Sequence, residues 1–451
     1  MRRVSIIVAL AAGAVLVPRP GGVEALGGGF QDPGPLDHVP GQVVVQFQRA
    51  VAQSGGEARL AELIQAGGGV AARRSDFDLG LHLVSLPAGD SVEAATSRFR
   101  QMPEVAFAEP NYVHHLQRTP NDPLFSQLQW NFRMLDSERV WDIQTGSASV
   151  VVAVIDSGIA SQNLGPLFVD YGPFGSGILG PFSRAPDWGT TLFTTGYNAV
   201  LGSGPAFDDN GHGTHVASTI AEGTDNGAGV AGLAFGVTLM PVKACIFNGA
   251  CFTFAEAEGI DFAARNGAKV INMSLGGGQS SEAVRQAVQR AAEAGVVIVA
   301  AAGNENGPVA FPAAFPEVIA VGAVDINKQR AFYSNIGPEV DFVAPGGDTR
   351  FDVDRNGFVD GVFQQTYPSA FQEQLIFTQF AFVAEQGTSM SSPHVAAVTA
   401  LLISQGITDA DMVRAALQST VEDLGPEGFD NNYGHGLIRP VEALRGLGLN
   451  R

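Results

Sequence analysis

Short apolar runs alternate with segments of helical pattern in the middle of this chain, and the alternation limits the folds it can adopt. Four runs have the length and composition of buried strands: 151–155, 237–242, 268–274 and 298–302. Helical pattern lies between them at 254–265 and 282–294. Because strands joined through helices cross over in the right-handed sense, they form a parallel sheet with helices on both faces. The sequence therefore predicts an α/β fold with a doubly wound, mostly parallel sheet.

Polar residues follow three of these runs. Asp156 comes directly after the first run, Ser274 ends the third, and Asn304 follows the fourth. In doubly wound sheets, binding and catalytic groups gather where the strands end. We therefore expect a carboxylate, a hydroxyl and an amide to meet at this edge of the sheet, although a simple turn would also explain Asn304.

Two further motifs supply a nucleophile and a base. Ser389 lies at the predicted start of a helix over 389–404, where unpaired backbone N–H groups favour developing negative charge. His212 stands between two glycines at the start of another helix. An imidazole makes a hydroxyl nucleophilic, and a buried carboxylate fixes the imidazole's tautomer. Asp156, His212 and Ser389 are thus the residue types that acyl transfer needs; for Ser389 alone, helix capping is the alternative.

The three motifs, in the order Asp156, His212, Ser389, resemble those of the subtilisin-like serine proteases from about residue 120 to the end of the chain. The resemblance implies that Asp156 is the catalytic acid, His212 the general base and Ser389 the nucleophile. It also implies that Asn304 and the backbone N–H of Ser389 hold the oxyanion. No catalytic cofactor is expected.

The same resemblance implies a set of substrate-binding residues. Ser274, Leu275 and Gly276 would pair with an extended peptide as an added strand, and Gly303 would border the same site. Protein or peptide is then the substrate. A plain strand-to-loop turn is the alternative for the first three residues.

The charge balance excludes some partners. The chain has 45 acidic and 26 basic residues and a formal net charge of −19. Nucleic acid and anionic membranes are therefore poor partners. The acidity suits cation binding, although a solvated acidic surface is the alternative. We expect a monomer.

The N-terminal part has the pattern of a secreted, processed protein. Residues 1–25 begin with the arginine pair Arg2 and Arg3, followed by a short apolar run and a plausible cleavage site, as in a secretory signal peptide. Residues 26–118 resemble the family's propeptide, with a folded α+β part at about 37–116 in ferredoxin-like order and one strand unassigned. The propeptide would act as an intramolecular inhibitor and be cut between 112 and 121. The peptidase domain is expected over 119–451.

One acidic loop has the spacing of a calcium site. Asp352, Asp354 and Asn356 stand at alternate positions before Gly357, and Asp360 or Asp348 would supply the further charge that such a loop needs. This pattern favours a structural calcium ion, with a solvated acidic loop as the alternative.

Three residues complete the predicted sites. Asp122 is a further calcium candidate by resemblance, with an aspartate before proline in a turn as the alternative. Cys245 and Cys251 form an even, close pair, which in a secreted chain favours a disulfide over a metal site or a catalytic thiol. Reduced cysteines are the alternative.

Together these features indicate a secreted, calcium-stabilised serine endopeptidase made as an autoprocessed zymogen. An esterase of α/β-hydrolase type would need Gly-x-Ser-x-Gly and a histidine after the serine, but residue 391 is serine and His212 precedes Ser389. A binding protein that kept the fold without activity is the second alternative.

Overall fold

The computed structural model describes residues 38–54, 56–77, 80–113 and 119–446. The chain forms two compact units that divide between Leu116 and Gln117. The predicted signal peptide, the start of the propeptide and part of the predicted cleavage segment lie outside the described residues. Among the described helices, none has the length and apolarity needed to cross a membrane.

The N-terminal unit is a four-stranded antiparallel sheet with helices. Its elements are β1 His38–Phe47, α1 Arg49–Ser54, α2 Gly56–Ala66, β2 Val70–Arg74, β3 Leu81–Ser85, α3 Val92–Arg100 and β4 Val105–Tyr112. The strand order β2-β3-β1-β4 confirms the ferredoxin-like prediction. The strand that the sequence left unassigned is β2, which is mostly exposed and so lacks the hydrophobic alternation that marks a strand.

The strands of the C-terminal unit form a parallel sheet with two small hairpins beside it. They are β5 Val151–Asp156, β6 Leu167–Asp170, β7 Ser176–Leu179, β8 Leu192–Phe193, β9 Tyr197–Asn198, β10 Thr238–Lys243, β11 Ala268–Met273, β12 Val297–Ala301, β13 Val318–Val324, β14 Phe342–Pro345, β15 Val362–Thr366 and β16 Ala381–Glu385. The sheet order is β14-β13-β12-β11-β5-β10-β8, with β9 also on β10, and every pair is parallel. The antiparallel pairs β6–β7 and β15–β16 form the hairpins.

Helices cover both faces of this sheet, as predicted. They are α4 Phe125–Leu128, α5 Trp130–Met134, α6 Ser137–Trp141, α7 His212–Ala221, α8 Thr253–Arg265, α9 Glu282–Glu293, α10 Ser369–Glu373, α11 Thr388–Ser404, α12 Ala410–Gln418 and α13 Pro440–Leu444. Helices α8 and α9 pack in one hydrophobic cluster, while α7, α11, α12 and α13 share the other. Helix α11 contacts strands β11 to β14 and is almost wholly buried, so its apolar residues form no single stripe.

The segment 165–207 has no clear hydrophobic period, as is typical of surface loops, yet it is partly buried. Phe182 and Trp188 are buried, and the Trp188 Nε1–H donates a hydrogen bond to the carbonyl of Ala160 at 2.8 Å. Strands β8 and β9 join the edge of the main sheet. Because each of them has only two residues, neither is long enough to show a hydrophobic period.

A neutral histidine is buried in the core of α11. The His394 Nδ1–H donates to the carbonyl of Met390 at 2.8 Å, and Nε2 accepts from the Asn131 side chain at 2.9 Å. Burial lowers the pKa of His394 to about 3. Protonation would leave Nε2 facing a donor, so the folded protein keeps this ring neutral.

This burial predicts a loss of stability in acid. Between about pH 6.5 and pH 3 the unfolded chain protonates His394 while the folded chain does not, so stability from this residue falls by roughly 1.4 kcal/mol per pH unit. The free energy of unfolding, measured with denaturant from pH 7 to pH 4, should therefore fall less steeply for a His394→Gln variant than for the unchanged chain. Ser389→Ala in both proteins prevents self-digestion, and equal slopes would contradict the prediction.

Candidate active site

Asp156 and His212 form the centre of the site. Asp156 ends β5 and is 2% exposed, and its Oδ1 accepts hydrogen bonds from His212 Nδ1 at 2.8 Å and from the Ser157 backbone at 2.7 Å. His212 begins α7 and is partly exposed. A neutral ring that donates through Nδ1 has Nε2 as its basic nitrogen. The structure therefore orients the imidazole as a general base requires.

The backbone around His212 is held close to the strand end. A Cβ added to Gly213 would lie 2.1 Å from the carbonyl oxygen of Gly158, so only glycine permits this approach. Asp208 Oδ1 accepts hydrogen bonds from the Ser157 hydroxyl and from the backbone N–H groups of the two residues before His212. These contacts fix the start of α7 beside β5.

Ser389 lies in the first turn of α11, which packs against α7. Its hydroxyl donates to the carbonyl of Ser274 at 3.1 Å, and the Ser274 hydroxyl donates to the carbonyl of Ser389 at 2.8 Å. Ser391 points away and donates to the Ala344 carbonyl at 3.0 Å. The two hydrogen bonds between Ser274 and Ser389 hold the start of α11 against the end of β11.

Asn304 presents an amide donor beside Ser389. Its Oδ1 accepts from the Thr388 backbone at 2.8 Å and from the Thr388 hydroxyl at 3.0 Å, which fixes which way the amide faces. A Cβ placed on Gly387 would lie 3.5 Å from Asn304 Nδ2 and 3.6 Å from the Ser389 backbone nitrogen. Within the described ranges Nδ2 has no acceptor. The amide of Asn304 and the backbone nitrogen of Ser389 thus lie close to one point, as the two donors of an oxyanion site must.

The loop that carries Asn304 is tightly built. Gly303 has φ +111°, and a Cβ there would lie 2.2 Å from the Asn335 side chain. Glu305 Oε2 accepts hydrogen bonds from the Asn304 backbone at 2.9 Å and from Asn335 Nδ2 at 3.0 Å. Gly303 is therefore held in a constrained loop next to Asn304, and Glu305 stabilises the same loop.

The predicted substrate segment follows β11 at Ser274, Leu275 and Gly276. Strand pairing ends at Met273, and Gly277 then exchanges backbone hydrogen bonds with Phe311 at 2.9 Å in both directions. A Cβ added to Gly277 would meet nothing within 4 Å. The segment is thus fixed on one side and borders open space on the other.

The predicted disulfide is present in the structure. Cys245 and Cys251 are joined across a six-residue separation in the loop between β10 and α8. Their residues also form an isolated antiparallel bridge. The bridge closes a short loop next to the segment that follows β11, since Cys251 and Gly276 line one cavity.

The acidic loop brings three of its predicted ligands together. Oxygens of Asp352, Asp354 and Asp360 lie within 4.8 Å of one another, and Asp360 Oδ1 is buried without a hydrogen-bond partner. Burial raises the pKa of Asp360, and the neighbouring Asp354 and Asp352 raise it further. Asn356 lies in the same turn, while Asp348 instead forms an ion pair with Arg350 at 2.6 Å. Oxygen ligands of this kind fit a hard cation such as calcium.

Asp122 belongs to a second acidic cluster that the sequence pattern did not reveal. Asp122 is buried, its Oδ1 has no partner, and its Oδ2 accepts from the Asp225 backbone at 2.7 Å. Asp187 accepts from the Asn226 side chain at 2.9 Å, and burial raises its pKa to about 6. Glu222 is fully buried, and its pKa is well above the usual range because of that burial and because Asp187 is near. Among the described residues, however, only the acidic loop brings three carboxylate oxygens within 4.8 Å of one another.

Comparison with known proteins agrees with this geometry. Residues 147–436 match the Subtilase family, which is well over half of the chain, and residues 27–111 match the Fervidolysin N-terminal prodomain. These two ranges correspond to the C-terminal and N-terminal units of the structure.

Individual relatives extend over most of the chain. It is 33% identical over 398 residues to the thermophilic serine proteinase of Bacillus sp. (strain AK1), covering 88% of this chain and 86% of the relative. Thermitase of Thermoactinomyces vulgaris is 32% identical over 328 residues, which cover 72% of this chain and 99% of thermitase. A solved protease structure from Pseudoalteromonas arctica PAMC 21717 is 32% identical, with a TM-score of 0.56, over 73% of this chain and 99% of that chain. This chain therefore belongs to the subtilase family of serine endopeptidases and carries an N-terminal prodomain.

Proposed function

We propose that this protein hydrolyses peptide bonds through Asp156, His212 and Ser389, with Asn304 as an oxyanion donor. The observation that carries the proposal is the 2.8 Å hydrogen bond between Asp156 and His212, at the same sheet edge as Ser389 and the side chain of Asn304. Against the alternative of an inactive binding protein, an imidazole oriented by a buried carboxylate supports a role in acyl transfer.

The proposed reaction has two stages. Ser389 Oγ attacks the peptide carbonyl carbon while His212 Nε2 takes the hydroxyl proton, and the buried Asp156 stabilises the imidazolium that forms. Asn304 Nδ2 and the Ser389 backbone N–H hold the negative oxygen. His212 then donates the proton to the leaving amine. In the second stage, water hydrolyses the acyl-enzyme by the same route in reverse.

We further propose secretion and activation by self-cleavage. The pattern of residues 1–25 supports export, and the prodomain match at 27–111 supports an intramolecular inhibitor that is removed between 112 and 121. Peptidase activity would then begin only after the N-terminal unit is released.

Calcium is the proposed structural cofactor. Asp352, Asp354, Asn356 and Asp360 would hold one ion, and its positive charge would offset the mutual repulsion of these carboxylates. The cluster around Asp122 would hold another. Both lie apart from the residues proposed for catalysis, so the ions would stabilise loops rather than take part in the reaction.

Intact mass tests the proposed function directly. The wild-type protein should lose its first 112 to 121 residues and react with a fluorophosphonate probe at Ser389, whereas Ser389→Ala should stay full length and unlabelled. Ser391→Ala is the matched control, since Ser391 donates only to the Ala344 carbonyl, and it should be processed like the wild type. A wild-type chain that stays intact and unlabelled, with and without calcium, would contradict the proposal.

Replacing the oxyanion donor should slow the chemical step. Asn304→Leu is expected to lower kcat on a peptide substrate with little change in KM, because the donor acts on charge that develops in the transition state. In subtilisin itself, the family's namesake, loss of the corresponding donor costs about 10² to 10³ in kcat. Asn327→Leu, an exposed asparagine elsewhere in the unit, should leave both constants unchanged. Equal kcat for Asn304→Leu and wild type would remove Asn304 from the mechanism.

Removing one carboxylate should weaken the loop calcium site. In a Ser389→Ala background, Asp354→Asn should bind about one calcium ion fewer per molecule by calorimetric titration. It should also lose part of the rise in melting temperature that calcium causes. At a calcium concentration of 100 times its Kd, a site adds about 2.7 kcal/mol to the free energy of unfolding. Asp411→Asn makes the same charge change on the exposed face of α12 and serves as the control. Unchanged calcium stoichiometry would exclude this site.

A further inference from the structure

A cavity lies beside the proposed substrate segment. Its volume is about 260 Å³, and its walls include Cys251 of the disulfide, Thr253 at the start of α8, Gly276 from the segment and the next residue Gly277, and Phe311 opposite. Because Gly277 is fixed by its two hydrogen bonds to Phe311, this wall is rigid. A peptide that pairs with the segment would therefore have one side chain directed at the cavity.

Glu256 is the one ionisable residue among those that line this cavity. It lies in the first turn of α8, is only 8% exposed, and burial raises its pKa to about 7. Within the described parts of the chain, its carboxylate has neither a hydrogen-bond donor nor a cation as partner. A buried carboxylate without such a partner reduces the stability of the fold, so the stability of the fold does not explain why a glutamate is buried at this position.

A neighbour on the same helix shows the contrast. Glu258 lies two residues further along α8, and its carboxylate accepts a hydrogen bond from the Tyr197 hydroxyl at 3.1 Å. That contact joins α8 to β9, so Glu258 has a structural role. The carboxylate of Glu256 borders the cavity instead, where a group from outside the fold can reach it.

We infer that Glu256 selects a lysine or arginine side chain of the peptide substrate, at a residue set back from the cleaved bond. The inference rests on the proposed function, because the peptide must pair with Ser274, Leu275 and Gly276 while Ser389 attacks. Gly277 lies three residues beyond Ser274, or roughly 10 Å along an extended strand. The selected residue is therefore the third or fourth before the cleaved bond.

The chemistry of the cavity favours a long basic side chain over others. An ammonium or guanidinium group would provide the positive charge that the Glu256 carboxylate lacks, in a space partly shielded from water. The aliphatic stem of the same side chain would pack along the disulfide and Phe311. An acidic side chain would place a second negative charge beside the first and be rejected.

The test compares peptides that differ at one position. Matched fluorogenic peptides would carry arginine, lysine, norleucine or glutamate at each of the four positions before the cleaved bond, and kcat/KM would be measured at pH 8. Wild-type enzyme should prefer arginine or lysine over norleucine by at least about tenfold at the third or fourth position. Glu256→Gln, which keeps the shape of the side chain but removes its charge, should reduce this ratio to about twofold or less.

Glu258→Gln is the matched control and should keep the wild-type preference. Fluorophosphonate labelling counts the active sites of each variant, so the ratios compare folded enzyme only. A wild-type ratio near one, or a basic preference that survives in Glu256→Gln, would overturn the inference while leaving the proposed function intact. Wild-type protein that neither cleaves any peptide nor takes up the probe would instead overturn the proposed function, and this inference with it.

Discussion

The hydrogen bond between Asp156 and His212 requires the surrounding structure to hold the end of β5 close to the start of α7. A carboxylate buried at the end of β5 orients an imidazole only if α7 begins within hydrogen-bonding distance of that strand end. Gly213 permits the approach, since any side chain there would collide with the carbonyl of Gly158. Asp208 fixes the turn that leads into the helix. The geometry at this site thus depends on close backbone packing, which keeps its dipoles and donors in place before a substrate arrives.

A buried ion pair supports the same turn. Lys243 Nζ contacts Asp209 Oδ1 at 2.5 Å and the carbonyl of Ser157 at 2.8 Å, and the Tyr171 hydroxyl donates to Asp209 Oδ2 at 2.5 Å. Neither member of the pair is exposed to solvent. Losing one partner would leave the other charge buried without compensation, which costs about 3 to 5 kcal/mol. The pair therefore ties the end of β10 to the turn before α7.

Other buried carboxylates have no cationic partner in the parts of the chain that the structure describes. Asp122, Asp187 and Glu222 form one such group, Asp360 lies in another, and Glu256 stands alone in its cavity. Each is destabilising as a bare charge, because the low-dielectric interior disfavours ionisation. Under the proposals made above, metal ions at the first two places and a basic substrate side chain at the third would offset this cost. The net charge of −19 fits a chain that recruits its cations in this way.

The sequence by itself determined the parallel sheet and singled out the residues proposed as triad and oxyanion donor, because each of these depends on a local pattern. An apolar run makes a buried strand, and two or three neighbouring residues shape a strand end or a helix start. The hydrophobic pattern did not predict β2, because that strand is exposed. It also did not predict β8 and β9, because each has only two residues. Only the tertiary structure decided that Asp187 and Glu222 gather near Asp122 and that Glu256 borders the substrate segment. Those positions depend on contacts between segments far apart in the chain. A local sequence pattern cannot show which carboxylates these contacts bury, and burial is what sets their pKa and their need for a partner.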